Sequence, residues 1–312
     1  ALVVGIDRKL HATADPSAAG LHLVHSPSGI AWDGGPPPPE LRFAARAAQL
    51  AGAFCEKRPD LRIVFEDDLD VPERKLGLGG SAAASVLAVR AVCAGAGRDV
   101  ADAEVISLAL AAHWAEQEGS GSGADVAAAA LGGVLEVRSR IPWRSVEELM
   151  AIPPAQIAAS RPLEIGNVRV PPDLRLLLAD TGTPANTRVL VREVRRFAEG
   201  DPRRWSKRAG EISTSAERLR DALESGDAES ALAAVRSGAA AMAALGEDAQ
   251  APIVTAELVR ACALAATAGA AGKPSGAGGG DCAVIVAFGD EARDSAEAVL
   301  RRHFSVLRIA PA

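Results

Sequence analysis

The sequence predicts two lobes of mixed helix and strand, of the α/β or α+β class. Three observations predict it. The chain has 312 residues, enough for one large domain or two ordinary ones. Short strand-like runs interleave with long alanine-rich helical runs in both halves. Prolines cluster between the halves, at Pro142, Pro153, Pro154, Pro162, Pro171 and Pro172, which divides the chain into lobes 1–165 and 166–312.

In order, residues 1–6, 21–24 and 61–65 read as strands, from β-branched content and alternation. "DGGPPPPE" (33–40) is a loop, because four prolines cannot sit in a helix interior or a central strand. Residues 40–55, 81–94 and 104–117 read as helices, the last with an apolar stripe. "GSGSGAD" breaks that pattern, "VAAAALGG" is a short helix stopped by glycine, and "VLEVRS" is a strand. "LRLLLADTG" (174–182) is a buried strand ending in a turn. Helices follow at 186–199, 203–223, 227–245 and 252–270. The end reads as strand 283–288, helix 290–303 and strand 305–309, with no repeat of fixed period.

Composition narrows the function. Hydrophobic residues make up 48% and charged residues 24%, so a sizeable core is expected. A net charge of −6 argues against nucleic acid or an anionic membrane as partner, and leaves room for a small anionic substrate. Aromatics at 3%, with no tyrosine, argue against base-stacking platforms. Cys55, Cys93, Cys262 and Cys282 form no CxxC pair, which argues against zinc and for reduced thiols in a cytoplasmic protein. The five histidines show no metal-ligand spacing. No apolar run reaches the ~18 residues of a spanning helix, and no signal peptide is evident. Nothing here bears on oligomeric state.

Three glycine-rich segments carry the chemistry. In "KLGLGGSAAAS" (75–85), small residues pass directly into a helix starting near Ser81. A helix start exposes unpaired N–H groups and a positive dipole end, and glycines let the backbone wrap a phosphate. Ser81 reads as a helix cap or a Mg²⁺ ligand, and Lys75 as a phosphate partner. The segment is neither a Walker A loop nor a GxGxxG fingerprint. In "EGSGSGADVAAAALGG" (118–133), Asp125 opens a short helix, as a cap or as a group orienting an acceptor or a cation. Ser122 binds a substrate oxygen or forms a turn. In "AGKPSGAGGGDCAVIVAF" (271–288), Lys273, Ser275 and the backbone of Ala277 surround glycines that permit close approach to an anion. A plain hairpin turn is the alternative there.

Other candidates are weaker. His113 and Trp114, on a helix with an apolar stripe, read as packing residues. Arg138 and Arg140 read as anion contacts or a solvated edge, and the charges of 192–208 as a solvated helix face.

These strings, in this order, resemble the GHMP kinase superfamily over most of the chain. "GLGGSAAAS" looks like its second motif and "KPSGAGGGDC" like its third. The third motif, with Asp281 before the cysteine, and "GSGADVAAAALGG" are most similar to the phosphomevalonate kinases within it. The resemblance implies an α+β fold, with an N-terminal α/β lobe, a ferredoxin-like C-terminal lobe and the site between them. It implies Asp125 and Lys75 as catalytic residues. Gly77, Leu78, Gly79, Gly80, Ser81 and Ala82 would hold the phosphates of ATP, with Ser81 at Mg²⁺. Ser122, Lys273, Ser275, Gly276, Ala277 and Gly278 would bind the substrate.

Two departures qualify the match. Gly80 stands where the motif has a serine, which removes one hydroxyl contact. The family's first motif, a strand with a catalytic lysine, has no counterpart, and "ALVVGIDRKL" resembles the strand that follows it, so a segment before residue 1 is expected. The implied reaction is ATP-dependent phosphorylation of (R)-5-phosphomevalonate, in isoprenoid biosynthesis. A mevalonate or homoserine kinase, or a non-catalytic ligand-binding protein on the same scaffold, are the alternatives.

Overall fold

The computed structural model describes residues 1–18, 20–57, 59–67 and 77–312, with Asp67 described by its backbone alone. Lys75 lies outside the described residues. The fold is α+β and divides into two compact units. One runs from Leu2 to Asn167 and includes Pro311–Ala312, and the other is Val168–Ala310 together with Gly77.

The N-terminal unit opens with β1 (Leu2–Val4), β2 (Leu10–Pro16), β3 (His22–His25) and β4 (Ile30–Trp32). After α1 (Arg42–Phe54), β5 (Leu61–Asp67) enters the second sheet, whose order is β2-β5-β3-β4. Helices α2 (Gly80–Gly95), α3 (Asp102–Glu116) and α4 (Ala124–Leu131) lead to β6 (Val134–Ser139). The short helices α5 (Val146–Met150) and α6 (Pro154–Ala159) precede β7 (Leu163–Asn167), and β6 pairs with both β1 and β7. The end of the chain joins this sheet region. Ala312 N–H donates to Gly5 O at 2.8 Å, and Gly133 N–H donates to Ala312 O at 2.7 Å.

Alanine decides the packing here. Ala44, Ala45, Ala47, Ala48 and Ala51 line the inner face of α1, and Ala82, Ala88, Val89 and Val92 that of α2, all essentially without solvent contact. Small side chains let α1, α2 and α3 approach closely around one core that also holds Leu108, Ile63 and Phe65. Cys55 and Cys93 meet at the far ends of α1 and α2 as thiols, Sγ to Sγ 3.6 Å, and burial pushes the Cys93 pKa up to about 12.

The C-terminal unit is built as β8 (Leu174–Asp180), four helices, β9 (Ala271–Pro274), β10 (Cys282–Phe288), α11 (Asp290–Leu300) and β11 (Ser305–Ile309). The helices are α7 (Thr187–Gly200), α8 (Pro202–Ser225), α9 (Ala228–Ala249) and α10 (Ala256–Thr267). The sheet order β11-β8-β10-β9, antiparallel throughout, is the ferredoxin-like arrangement expanded by extra helices.

Most expected elements are present within two or three residues of their expected ends. Four strands and two short helices were not anticipated. β2 is an edge strand exposed along most of its length, and its alternation rests on Leu10 and two alanines, which bury little apolar surface. β4 has three residues. β7 and β9 are also edge strands, which is how β9 tolerates Pro274. Pro154 starts α6 instead of preventing it, because a first-turn proline forfeits no helical hydrogen bond.

Candidate active site

Two helix starts frame the first cluster. α2 begins behind Gly79, which sits in the left-handed region at φ 85°, and no side chain caps it. α4 begins behind Gly123, also left-handed and also without a side-chain cap. Each start also presents its positive dipole end, although at α4 side chains already take the amides of Ala124 and Val126. Gly123 has a double reason to be glycine. Its φ is 78°, and a Cβ there would stand 2.7 Å from Leu110 Cδ1 on α3. The chain therefore folds tightly back over α3 and delivers Ser122 and Asp125 at the start of α4.

Ser81 and Asp125, from the first turns of α2 and α4, meet at His113 of α3. Ser81 Oγ lies 3.0 Å from His113 Nε2, and Asp125 Oδ2 lies 3.8 Å from the same nitrogen. The imidazole is 2% exposed, whereas the Asp125 side chain is 42% exposed. Phe43 of α1 packs against the imidazole with ring centroids 4.9 Å apart. Burial holds the His113 pKa below its ordinary value; Asp125 pulls it up, and Arg42 pushes it down further. Asp125 Oδ1 accepts from Val126 N–H at 3.0 Å, so the carboxylate is steadied against its own helix with Oδ2 toward the imidazole. Ser122 is exposed, and its Oγ accepts from Ala124 N–H at 3.4 Å. Ala82 is fully buried, backbone included.

The second cluster belongs to the C-terminal unit. β9 and β10 form a hairpin, and residues 275–281 are its loop. A tight packing of chain on chain accounts for much of the glycine there. A Cβ at Gly278 would fall 2.2 Å from Ile253 O, one at Gly279 2.5 Å from Leu190 Cδ1, and one at Gly280 2.4 Å from Thr183 O. Gly278 N–H donates to Ser275 O and Gly279 N–H to Ile253 O, so these amides are already engaged. Gly276 and Ala277 are exposed at the tip, and Ser275 is half-buried. Lys273 Nζ donates to Pro274 O at 2.6 Å, and burial lowers its pKa to about 8.

Asp281 ties this loop to the segment ahead of α7. Its Oδ1 accepts from Ala185 N–H at 3.0 Å, its N–H donates to Thr183 O, and its carbonyl accepts from Thr181 N–H and Oγ1. It does so at φ 50°, unusual for a residue with a side chain. Gly77 lies against it, since a Cβ on Gly77 would stand 2.8 Å from Asp281 Oδ2.

The structure thus brings Ser81 and Asp125 together in one unit and gathers Lys273, Ser275, Gly276, Ala277 and Gly278 on one hairpin in the other. Sequence reasoning assigned His113 to packing. Its only sign was a single ionisable residue among apolar neighbours on α3. Among the described residues, no group of three or more His, Cys, Asp or Glu side chains is placed to hold a metal. One carboxylate and one hydroxyl, both hard oxygen donors, match what Mg²⁺ takes from a protein when phosphates supply its other ligands.

Comparison with known proteins gives a consistent picture. The model for the GHMP kinase N-terminal domain matches residues 42–133, and that for the GHMP kinase C-terminal domain matches residues 193–306. A phosphomevalonate kinase of Streptomyces sp. (strain CL190) is 30% identical over 331 aligned positions, covering 94% of this chain and 85% of that protein. The Streptococcus pneumoniae phosphomevalonate kinase, solved with phosphomevalonate and AMPPNP, superposes with a TM-score of 0.84 at 19% identity, over 97% of this chain and 90% of that one. The Lin0012 protein of Listeria innocua superposes with a TM-score of 0.83 at 23% identity, over 100% and 92%.

Proposed function

The chain belongs to the GHMP kinases, and on that premise we propose that it transfers the γ-phosphoryl group of ATP to the phosphate of (R)-5-phosphomevalonate. The observation that carries the reading is the pair of uncapped helix starts holding Ser81 and Asp125 around one buried histidine. The relative that is 30% identical supports the choice of acceptor.

Phosphoryl transfer asks a protein chiefly for positioning and charge neutralisation. The amides of Gly80 and Ser81, at the positive end of α2, suit the nucleotide phosphates. Ser81 Oγ and Asp125 are the oxygens that would hold Mg²⁺, which when bound neutralises phosphate charge. The acceptor is itself a phosphate, with a second pKa near ~6, so it is largely ionised at neutral pH and needs no strong base. Asp125 therefore acts by orienting the acceptor or the cation. Two phosphate charges ~4 Å apart repel by about 4 kcal/mol at an effective dielectric of ~20, and Lys75 is assigned to offset that repulsion. Ser275, Gly276 and Ala277 at the hairpin tip, and Ser122, are assigned to the acceptor. Lys273, with its amine on Pro274 O, shapes the hairpin base.

The test is ADP release with phosphomevalonate, mevalonate and homoserine as acceptors. Phosphomevalonate should lead by about a hundredfold in kcat/KM, because phosphate-binding groups left empty penalise the smaller acceptors. Preference for a hydroxyl acceptor would reassign the chain within the family. Nucleotide binding with no turnover on any acceptor would favour a ligand-binding role.

A further inference from the structure

We propose that His113 is a positioning residue that holds the Ser81 hydroxyl in place for the nucleotide-bound magnesium ion. The inference rests on the reading of Ser81 as a cation ligand and adds a residue that the reading did not include.

The argument is geometric. A serine hydroxyl rotates freely unless a partner fixes it. Ser81 is on the first turn of α2, where its side chain can turn to cap backbone, face solvent or face a ligand. The bond to His113 Nε2, at 3.0 Å, selects one rotamer and one of the three hydrogen-bonding directions of Oγ. The other two directions then point away from the imidazole. His113 is held in place, because Phe43 of α1 packs at a tilt against its ring and the ring is almost wholly buried. The groups facing it are Arg42 and Phe43 from α1, Ser81 from α2 and Asp125 from α4. Asp125 Oδ2, 3.8 Å from the same nitrogen, is close enough to share the ligand that Ser81 faces and too far to be tied up by the imidazole. One buried nitrogen thereby fixes the Ser81 oxygen, while Val126 N–H steadies the Asp125 carboxylate beside it.

The test compares two substitutions of equal polarity and different reach. His113→Gln places an amide near the position of Nε2 and retains a partner for Ser81, whereas His113→Asn stops one carbon short. Both bury an amide, so a purely structural role would penalise both. Calorimetric binding of Mg²⁺·AMPPNP, which needs no turnover, should weaken about tenfold in His113→Asn and stay near wild type in His113→Gln, as expected for one hydrogen bond. The His113→Asn effect should vanish in a Ser81→Ala background, since His113 acts through Ser81. Without any change at His113, its imidazole ¹⁵N resonances should move on addition of Mg²⁺·AMPPNP to wild type and stay put in Ser81→Ala.

Equal binding by the two variants, an effect that persists without the Ser81 hydroxyl, or resonances unmoved in wild type would overturn the proposal. Failure of the functional reading looks different. The protein would then bind Mg²⁺·AMPPNP with the His113 dependence described, yet leave phosphomevalonate unphosphorylated.

Discussion

At Asp125 a carboxylate sits on the first turn of a helix, half exposed, with one oxygen on a backbone amide and the other toward a buried imidazole. A cap would have bonded an amide two or three residues on, and Asp125 instead bonds its immediate neighbour. That leaves Oδ2 for the imidazole side, where the proposed cation would sit. Asp125→Asn preserves size and hydrogen bonding while removing charge. It should lower kcat by about a hundredfold and weaken Mg²⁺·nucleotide binding by no more than about tenfold, read by steady-state kinetics alongside equilibrium binding. Unchanged turnover would remove Asp125 from the mechanism. Asp281 offers a stability test. Its carboxylate anchors Ala185 N–H from a left-handed backbone, so Asp281→Ala should cost about 1–3 kcal/mol. Asp281→Asn should cost less, because asparagine tolerates that backbone and keeps an acceptor. Chemical denaturation of the two variants measures the difference.

Elements explain why some of this was legible and some was not. α1 to α4 show in the sequence because alanine and other good helix formers run on over many residues, and α7 to α10 because long runs of helix formers open at caps such as Asn186, Asp201, Asp227 and Thr255. Edge strands such as β7 and β9 are held by ladder partners distant in sequence, and β2 carries an alternation too weak in apolar bulk to stand out. His113 is packed as its apolar neighbours suggested, but its partners Phe43, Ser81 and Asp125 come from α1, α2 and α4, which the sequence of α3 alone does not supply. The glycines of 278–280 were read as room for an anion, whereas the structure packs them against Ile253, Leu190 and Thr183, neighbours that no reading of the motif alone supplies.

Two element-scale predictions follow from packing. Gly123→Ala should destabilise the turn into α4 by more than about 1–2 kcal/mol, since it combines left-handed strain with a clash against Leu110, and thermal unfolding reads this directly. Lys273 predicts a pH dependence. Its amine loses protons near pH 8 when folded, and only near pH ~10.4 when unfolded. Between those values the unfolded chain binds more protons, so this residue makes stability rise with pH over that window. The rise should be present in wild type and absent from Lys273→Met, with denaturant midpoints compared from pH 7 to 10. Identical profiles would show that the amine is solvated.

For the whole molecule, two folded units carry separate parts of the proposed chemistry. The N-terminal unit presents helix starts with a hydroxyl and a carboxylate, and the C-terminal unit presents a glycine-packed hairpin whose tip amides are open. No helix among the described residues is long and apolar enough to cross a membrane. The family was readable from three short motifs because those motifs encode backbone geometry that few folds share. The acceptor was less readable, since it depends on side chains gathered from several elements. ³¹P NMR of wild-type protein with ATP, Mg²⁺ and phosphomevalonate tests the central claim most directly. The account predicts loss of the acceptor's monophosphate signal and growth of a coupled diphosphate pair in step with ADP. A monophosphate signal that persists while ATP is consumed, or that converts equally well without the protein, would contradict it.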